Sequence, residues 1–273
     1  MQGLVQSTAS SKRVAAAVPA VRGRAAVISA PTQIDLREID FREPAEGEVR
    51  VRIEGCGVCA SNLPVWQGKP WFEYPLEPGA PGHEAWGYID AIGLGVVDPA
   101  PGDRVAMLSS HGFATYDFAP ASQVVRLPAS LDEQPCPAEA LGCAANIFRR
   151  STILPEETVA IVGIGFLGTL LTQLAVNARA KVFAISRRRS SLTMAEQFGA
   201  AATIESSQAL EAVKRLTNDL GCDCVIETAG TQESLDLATE LTSERGRLVI
   251  AGYHQDGPRQ VNMQLWNWRG LDV

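Results

Sequence analysis

Hydrophobic and polar residues change their spacing near residue 137, and this change divides the chain into two parts. Between residues 24 and about 135, short apolar runs are separated by Gly and Pro, a pattern typical of β-strands joined by loops. The predicted strands are Arg24–Ile28, Glu48–Glu54, Trp86–Gly93, Asp103–Leu108 and Ser122–Leu127. Because no helical period of useful length appears before residue 137, we predict a compact β-barrel with long loops.

After Pro137, which stands at a favoured first-turn position of a helix, helical segments alternate with short apolar strands. The predicted strands are Val159–Val162, Lys181–Ile185, Ala202–Ile204, Cys224–Glu227 and Arg247–Ala251. The predicted helices between them are Phe166–Ala180, Ser191–Phe198, Gln208–Asn218 and Gln232–Leu241. This alternation predicts an α/β domain with a doubly wound parallel sheet.

Composition narrows the possible partners. The chain of 273 residues has a net charge of −7, which argues against a nucleic-acid partner because phosphate neutralisation needs a basic face. No apolar run approaches the roughly 20 residues of a membrane helix, so no membrane partner is expected. Six cysteines in a chain of this length favour metal binding or burial over a secreted disulfide framework, and we predict a cytoplasmic protein.

The same patterns predict three segments. Residues 1–23 are rich in Ala and Ser and contain no acidic residue, a composition of disordered tails and also of transit peptides. We predict a disordered tail at residues 1–23, the β domain at residues 24–150 and the α/β domain at residues 151–273.

A glycine-rich motif opens the α/β domain. The apolar run that begins at Thr158 leads into Gly163, Gly165 and Gly168, with Phe166 and Leu167 between the last two glycines. In this pattern the glycines permit a tight turn, close approach of a pyrophosphate and close helix–strand packing, and the helix N-terminus binds phosphate. Because the motif follows a strand and begins a helix, it predicts a dinucleotide site.

The end of the next predicted strand indicates which dinucleotide binds. A carboxylate there would accept the ribose hydroxyls of NAD, but this chain has Ser186 and Arg187, followed by two more arginines. A guanidinium group can bind a 2′-phosphate in a bidentate fork, so the sequence favours NADP(H) over NAD(H). The alternative is that the arginines only solvate a loop.

Three residues have the side chains of a catalytic zinc site. Cys56 and Cys59 could alone form a redox pair or half of a zinc knuckle, but no second pair with suitable spacing follows. A catalytic zinc needs three protein ligands and one open position, and Cys59, His83 and Cys143 fit that number. We therefore predict these three residues as metal ligands.

The chain resembles the zinc-containing medium-chain dehydrogenases, the alcohol dehydrogenase-like family. The similar segments are GCGVCASN, PGHEAWGYIDAIG, PGDRVAML, FAPASQVVRLP, ALGCA and VAIVGIGFLG, and the similarity extends over about residues 24–273. It implies a GroES-like catalytic domain followed by a Rossmann domain, with the active site between them. It also implies hydride transfer between an alcohol or polyol, or its carbonyl, and a nicotinamide coenzyme.

The resemblance assigns further roles around the metal. It makes Ser61 the hydroxyl that passes on the proton of the alcohol and Glu84 a carboxylate that can exchange onto the zinc. Asn62 replaces the family's usual aspartate, and we expect it to accept a hydrogen bond from the histidine ligand. The family's second, structural zinc needs four closely spaced cysteines after the strand that contains Val105. Only residues 107–111 separate this strand from Gly112, and none of them is a cysteine, so we expect one zinc per chain.

Further expectations concern the C-terminal end of the chain, its oligomeric state and two alternative functions. Residues 265–273 resemble the approach to a sixth Rossmann strand, so we expect a C-terminally truncated chain whose own activity is uncertain, and a homo-oligomer when full length. One alternative function is a zinc-independent quinone or enoyl reductase of the same fold. The other is a catalytically silent NADPH-binding protein.

Overall fold

The computed structural model describes residues 20–273. Most of the predicted tail, residues 1–19, lies outside the described residues. Its last residues do not fit the prediction, because the first strand already begins at Val21 and pairs with a second strand from Val21↔Phe41 onward. Backbone pairing extends this strand beyond the start at Arg24 that the side-chain pattern predicts.

The first half of the chain is built mainly from strands. They are β1 (Val21–Ala30), β2 (Gln33–Phe41), β3 (Glu48–Gly57), β4 (Glu84–Ile92), β5 (Arg104–Met107), β6 (Tyr116–Pro120) and β7 (Val124–Arg126). Two helices belong to this half, the short α1 (Leu63–Trp66) and the long α2 (Ala138–Ser151). Strands β2 and β6 are absent from the sequence prediction; β2 is mostly exposed, and its apolar alternation changes phase between Leu36 and Ile39.

Five antiparallel strands form the main sheet of this half, in the order β6-β3-β4-β5-β7, and β1 and β2 form a separate hairpin. Its core contains Val49, Val51, Ile89, Val105 and Met107, all at most 2% exposed. Helix α2 packs against β4 and β5, so it brings its side chains to the end of the sheet where the predicted ligand residues lie.

The second half alternates strands and helices. Its strands are β8 (Thr158–Val162), β9 (Lys181–Ser186), β10 (Ala202–Glu205), β11 (Cys222–Glu227) and β12 (Thr242–Ile250). Its helices are α3 (Phe166–Asn177), α4 (Arg189–Gln197), α5 (Ala209–Thr217), α6 (Gln232–Leu241) and α7 (Met263–Arg269). The boundary between residues 150 and 151 remains a prediction.

These strands form one parallel sheet in the order β10-β9-β8-β11-β12, with an apolar core on each face. The strand order reverses at β8, and ligands of such sheets bind beyond the carboxyl ends of the strands near the reversal. The predicted glycine motif lies at that point, directly after β8. The doubly wound sheet that the sequence predicts is therefore confirmed.

The last residues form a helix before they reach the sheet. Helix α7 was not predicted. The side chain of Asn262 at its start accepts a hydrogen bond from the Leu265 amide, and Gly270 ends the helix with a positive φ of 62°. Asp272 then pairs in parallel with Arg247 beside β12, where the sequence predicts the approach to a sixth strand. No helix in residues 20–273 has both the length and the apolar character needed to cross a membrane.

Candidate active site

The loop after β3 presents Cys59 at the start of a short 3-10 helix, Ala60–Asn62. The side chain of Asn62 fixes this turn, because its Oδ1 accepts a hydrogen bond of 3.0 Å from the Cys59 amide. In return, the Asn62 amide donates to the Cys59 carbonyl, also at 3.0 Å. The backbone that carries the thiol is therefore held by hydrogen bonds within its own loop.

The imidazole of His83 is oriented by the backbone of Pro81. Its Nδ1 lies 2.9 Å from the Pro81 carbonyl, which only accepts, so Nδ1 carries the proton and Nε2 keeps its lone pair. The Ser61 hydroxyl lies 3.4 Å from that Nε2. The expected hydrogen bond from His83 to Asn62 is wrong: the Asn62 carbonyl already binds the Cys59 amide, and its Nδ2 donates to Pro81 at 3.2 Å.

Glu84 is the first residue of β4 and its side chain is buried beside the same loop. Its partner in the antiparallel register is Gly57, where a Cβ atom would lie 1.9 Å from Glu84 Oε2. Burial raises the pKa of Glu84, whereas the nearby His83 and Cys59 lower it. A cation would therefore stabilise the ionised form of this buried carboxylate.

Cys59, His83 and Glu84 bring their ligand atoms within 4.8 Å of one another. Thiolate, imidazole and carboxylate are the ligands that zinc binds in proteins, at about 2.0–2.3 Å, so ligands of one ion lie within about 4.6 Å of each other. The donor atoms and their separation therefore fit a zinc ion after only a small shift. In the part of the chain that the structure describes, this is the one group of its kind.

Helix α2 adds two side chains, Glu139 and Cys143, which are one turn apart. The Cys143 thiol donates a hydrogen bond of 3.1 Å to Glu139 Oε1. Burial raises the pKa of Cys143 to about 11, and the charges of Glu139, Cys59 and Glu84 act in the same direction, which places this thiol near the group. Its sulfur does not belong to the set within 4.8 Å, so the structure groups Glu84, rather than Cys143, with Cys59 and His83.

Sequence reasoning did not single out Glu139. The available signal was its spacing of four residues before Cys143 on a predicted helix, since such residues lie on one face. The charge of Glu139 also raises the pKa of Glu84, so the two carboxyl groups are neighbours across the site.

The glycine motif has the geometry that dinucleotide binding requires. Gly163 has a φ of +104°, which side-chain-bearing residues rarely adopt, and Gly165 is the N-cap of α3. A Cβ atom on Gly168 would lie 2.1 Å from the Gly163 carbonyl, so glycine allows α3 to pack closely on the turn. Phe166 and Leu167 are the first residues of α3, and the first amides of a helix have no partner within the helix and can bind phosphate.

The end of β9 carries a hydroxyl and basic residues where NAD-binding proteins have a carboxylate. Ser186 is buried and its Oγ accepts a hydrogen bond from the Arg188 amide at 3.2 Å. Arg187 and Arg188 are both exposed, and the Arg188 side chain donates to the Ile164 carbonyl in the glycine motif at 3.3 Å. The Arg187 side chain, next to Ser186 in the chain, faces solvent.

A buried carboxylate at the end of β11 is a second feature that sequence reasoning missed. Glu227 is fully buried, and its Oε1 accepts three hydrogen bonds of 2.7 Å, from the amides of Ala229 and Gly230 and the hydroxyl of Ser234. Its Oε2 lies 3.0 Å from Nε2 of His254, in the segment after β12. The available sequence signal was a Glu at the end of an apolar strand. Its partner His254 is distant in sequence, so no local pattern shows the pair.

Comparisons with known proteins agree with this geometry. Residues 45–129 match the alcohol dehydrogenase GroES-like domain family, and residues 167–271 match the zinc-binding dehydrogenase family. Galactitol 1-phosphate 5-dehydrogenase of Escherichia coli strain K12 is 30% identical over 244 residues, which are 77% of this chain and 70% of that protein. An alcohol dehydrogenase of Geobacillus stearothermophilus is 28% identical over 253 residues, which are 80% of this chain and 74% of that one.

Solved structures show the same fold. A zinc-binding dehydrogenase of Sinorhizobium meliloti 1021, bound to NADP, has a TM-score of 0.81 at 28% identity and covers 93% of this chain and 83% of its own. Galactitol-1-phosphate dehydrogenase of Escherichia coli has a TM-score of 0.79 at 28% identity, with 92% and 82% covered. The chain belongs to the zinc-containing medium-chain dehydrogenase/reductase family, whose members are nicotinamide-dependent oxidoreductases.

Proposed function

We propose that this oxidoreductase transfers a hydride between the carbon of an alcohol or polyol, or the corresponding carbonyl, and a nicotinamide coenzyme. The observation that carries the proposal is the group of Cys59, His83 and Glu84 within 4.8 Å. A separate glycine turn with the geometry for a dinucleotide supports it. Relatives named as alcohol and polyol-phosphate dehydrogenases support the substrate class.

We propose that Cys59 and His83 hold a single catalytic zinc, with Glu84 beside them and one further ligand from α2. When bound, zinc supplies Lewis acidity that lowers the pKa of the substrate hydroxyl. Cys143 is the ligand that the sequence predicts, and Glu139 is the carboxylate to which the Cys143 thiol donates. A metal-bound thiolate has no proton for that hydrogen bond, so only one of these two arrangements can exist in the zinc-loaded protein.

The chain's own residues place and move the proton. Ser61 Oγ lies 3.4 Å from His83 Nε2 and two residues after Cys59, so it faces the position that a substrate oxygen takes at the site. A serine hydroxyl both accepts and donates, and Ser61 can therefore take the substrate proton and pass it on. Glu84 contributes a buried negative charge next to this path.

We propose that the coenzyme is NADP(H) rather than NAD(H). The nicotinamide ring supplies the hydride chemistry, and the protein supplies binding and orientation. The support is Ser186 at the end of β9 with the exposed Arg187 next to it, since arginine binds phosphate through charge-assisted hydrogen bonds. The NADP-bound relative of similar fold is consistent with this choice.

We further propose a cytoplasmic homo-oligomer whose chain contains the two domains predicted at residues 24–150 and 151–273, with the first domain extended by the start of β1 at Val21. Six cysteines without disulfide bonds support a reducing compartment.

The function is tested by measuring zinc content together with a screen of alcohols and polyols with NADP⁺ and NAD⁺. We expect one zinc per chain and coenzyme reduction with at least one polyol. A parallel comparison of Cys143→Ala and Glu139→Gln identifies the ligand from α2. Removal of the ligand lowers the zinc affinity more than removal of the other side chain. Zinc-free protein that is fully active would overturn the proposal and favour a zinc-independent reductase.

A further inference from the structure

The segment after β12, residues 251–259, lies directly over the buried carboxylate of Glu227. The amides of Ala251 and Gly252 both donate to the Glu227 carbonyl at 2.8 Å. A Cβ atom on Gly252 would lie 2.5 Å from Glu227 Oε2, so glycine allows this close passage. We call residues 251–259 the cleft loop.

Side chains anchor the cleft loop to the coenzyme-binding half at two further points. His254 Nε2 contacts Glu227 Oε2, and Arg259 Nε donates to His254 Nδ1 at 2.7 Å. Since Arg259 can only donate, Nδ1 is the acceptor and His254 donates from Nε2 to the carboxylate. Arg259 Nη2 also donates to the Gly230 carbonyl at 2.8 Å. The base of the loop is therefore fixed.

The tip of the cleft loop reaches the other half of the molecule. Gln255 Nε2 donates a hydrogen bond of 3.2 Å to the carbonyl of Ala60, across 195 positions of sequence. Ala60 stands between Cys59 and Ser61. The pKa of Asp256 is lowered mainly by a hydrogen bond from Arg259, and the charge of Lys69 in the first half makes a smaller contribution, which places Lys69 near the tip.

The Gln255 amide has only one orientation in this contact. The Ala60 carbonyl needs a donor, so Nε2 must face it, and Oε1 is left buried with no hydrogen-bond partner. An unpaired buried acceptor disfavours the contact, and the hydrogen bond of Nε2 only partly offsets this loss. A side chain that only filled space would not need the amide, so the amide points to the hydrogen bond with Ala60 as the role of this residue.

We propose that Gln255 is a positioning residue: through the Ala60 carbonyl it holds the loop that carries Cys59 and Ser61 in the geometry that the reaction needs. It touches neither ligand side chain. It acts from a loop anchored to Glu227, so the coenzyme-binding half restrains the ligand loop through a single hydrogen bond. Only the kinetic consequence rests on the proposed function.

The test compares Gln255→Met with Gln197→Met, the same replacement at an exposed position near the end of α4. Methionine has a similar length and removes both the donor and the unpaired acceptor. In metal-free protein, hydrogen exchange of peptides spanning residues 56–66 should become about fivefold faster in Gln255→Met only, because the restraint on the loop is lost. Equal exchange in both variants and the wild type would overturn the proposal.

Enzyme kinetics supply a second measurement in the zinc-loaded protein. We expect Gln255→Met to lower kcat about tenfold, the size of effect typical for groups that orient metal ligands, with little change in the KM of the coenzyme. Gln255→Asn, which is one methylene shorter, should behave alike if Gln255→Met does not fold. A wild-type protein without turnover would contradict the proposed function and leave the exchange result to decide on Gln255.

Discussion

At the scale of single residues, the absence of a side chain at Gly57 makes room for the Glu84 carboxylate. A Cβ atom at position 57 would lie 1.9 Å from Glu84 Oε2, far inside contact distance. Gly57→Ala must therefore displace the carboxylate from the group it forms with Cys59 and His83. We expect zinc affinity to fall roughly tenfold or more, as for other losses around metal ligands, measured by competition with a chelator. Unchanged affinity would show that Glu84 does not matter to the metal.

A buried cysteine outside the metal group makes the free energy of unfolding decrease at alkaline pH. Burial raises the pKa of Cys222 from 9.0 to about 12. Since the folded state favours the neutral thiol, this contribution to stability is complete below pH 9 and is lost as the pH rises toward 12. Cys222→Ala should therefore flatten the decline in the free energy of unfolding between these values, measured by urea unfolding at several pH values. An identical decline in the variant would contradict the assignment.

How far the sequence predicts the site depends on the kind of contact. Cys59 and His83 stand in short segments with family-specific patterns, and the structure brings them together. The partner of the Asn62 carbonyl was predicted wrongly, because the turn geometry decides whether the Cys59 amide or the His83 ring is nearer. Contacts such as Gln255 with Ala60 depend on how the two halves pack, which no local pattern contains.

At the scale of elements, the periodic pattern predicts helices well and exposed strands poorly. Helix α6 begins and ends at the predicted residues, Gln232 and Leu241, because one face is apolar and Thr231 caps it. Strand β2 was missed because most of its side chains are exposed and its apolar alternation changes phase between Leu36 and Ile39. Helix α7 was missed because its caps, rather than an apolar face, define it.

The packing of α3 on the turn after β8 predicts a contrast between two glycines. Gly168→Ala would place a Cβ atom 2.1 Å from the Gly163 carbonyl, and a shift of α3 is unavoidable. We expect the Kd of the coenzyme to rise about tenfold or more, which corresponds to about 1.4 kcal/mol, in a fluorescence titration. A variant that binds as tightly as the wild type would show that close packing of α3 is not required.

The second glycine of this contrast, Gly142, lies within α2, and the same replacement by alanine can be made there. A Cβ atom on Gly142 would meet no atom within 4 Å, and the residue is inside a helix, where alanine is preferred. Gly142→Ala should therefore raise the free energy of unfolding by about 0.5–1 kcal/mol in a urea titration. A destabilised variant would mean that the space beside Gly142 is smaller than the structure shows.

At the scale of the whole molecule, the proposed choice of coenzyme rests on Ser186 and Arg187, at the end of β9 in the second half of the chain. If Arg187 binds the 2′-phosphate, Arg187→Gln should remove a charged hydrogen bond of about 1.5–3 kcal/mol. We expect the Kd of NADPH to rise at least about tenfold while the Kd of NADH changes little, since NADH has no 2′-phosphate. Equal effects on both coenzymes would contradict the role of Arg187.

The proposed hydride transfer depends on one zinc ion held by the group of Cys59, His83 and Glu84. The most direct test removes the metal, adds zinc back in measured amounts and follows turnover of a substrate from the polyol screen. We predict no activity without metal, a linear rise up to about one equivalent of zinc per chain and no further rise, since one open-sided site needs one ion. Full activity in the metal-free protein, or a Cys59→Ala variant that turns over as fast as the wild type, would contradict the catalytic role of zinc.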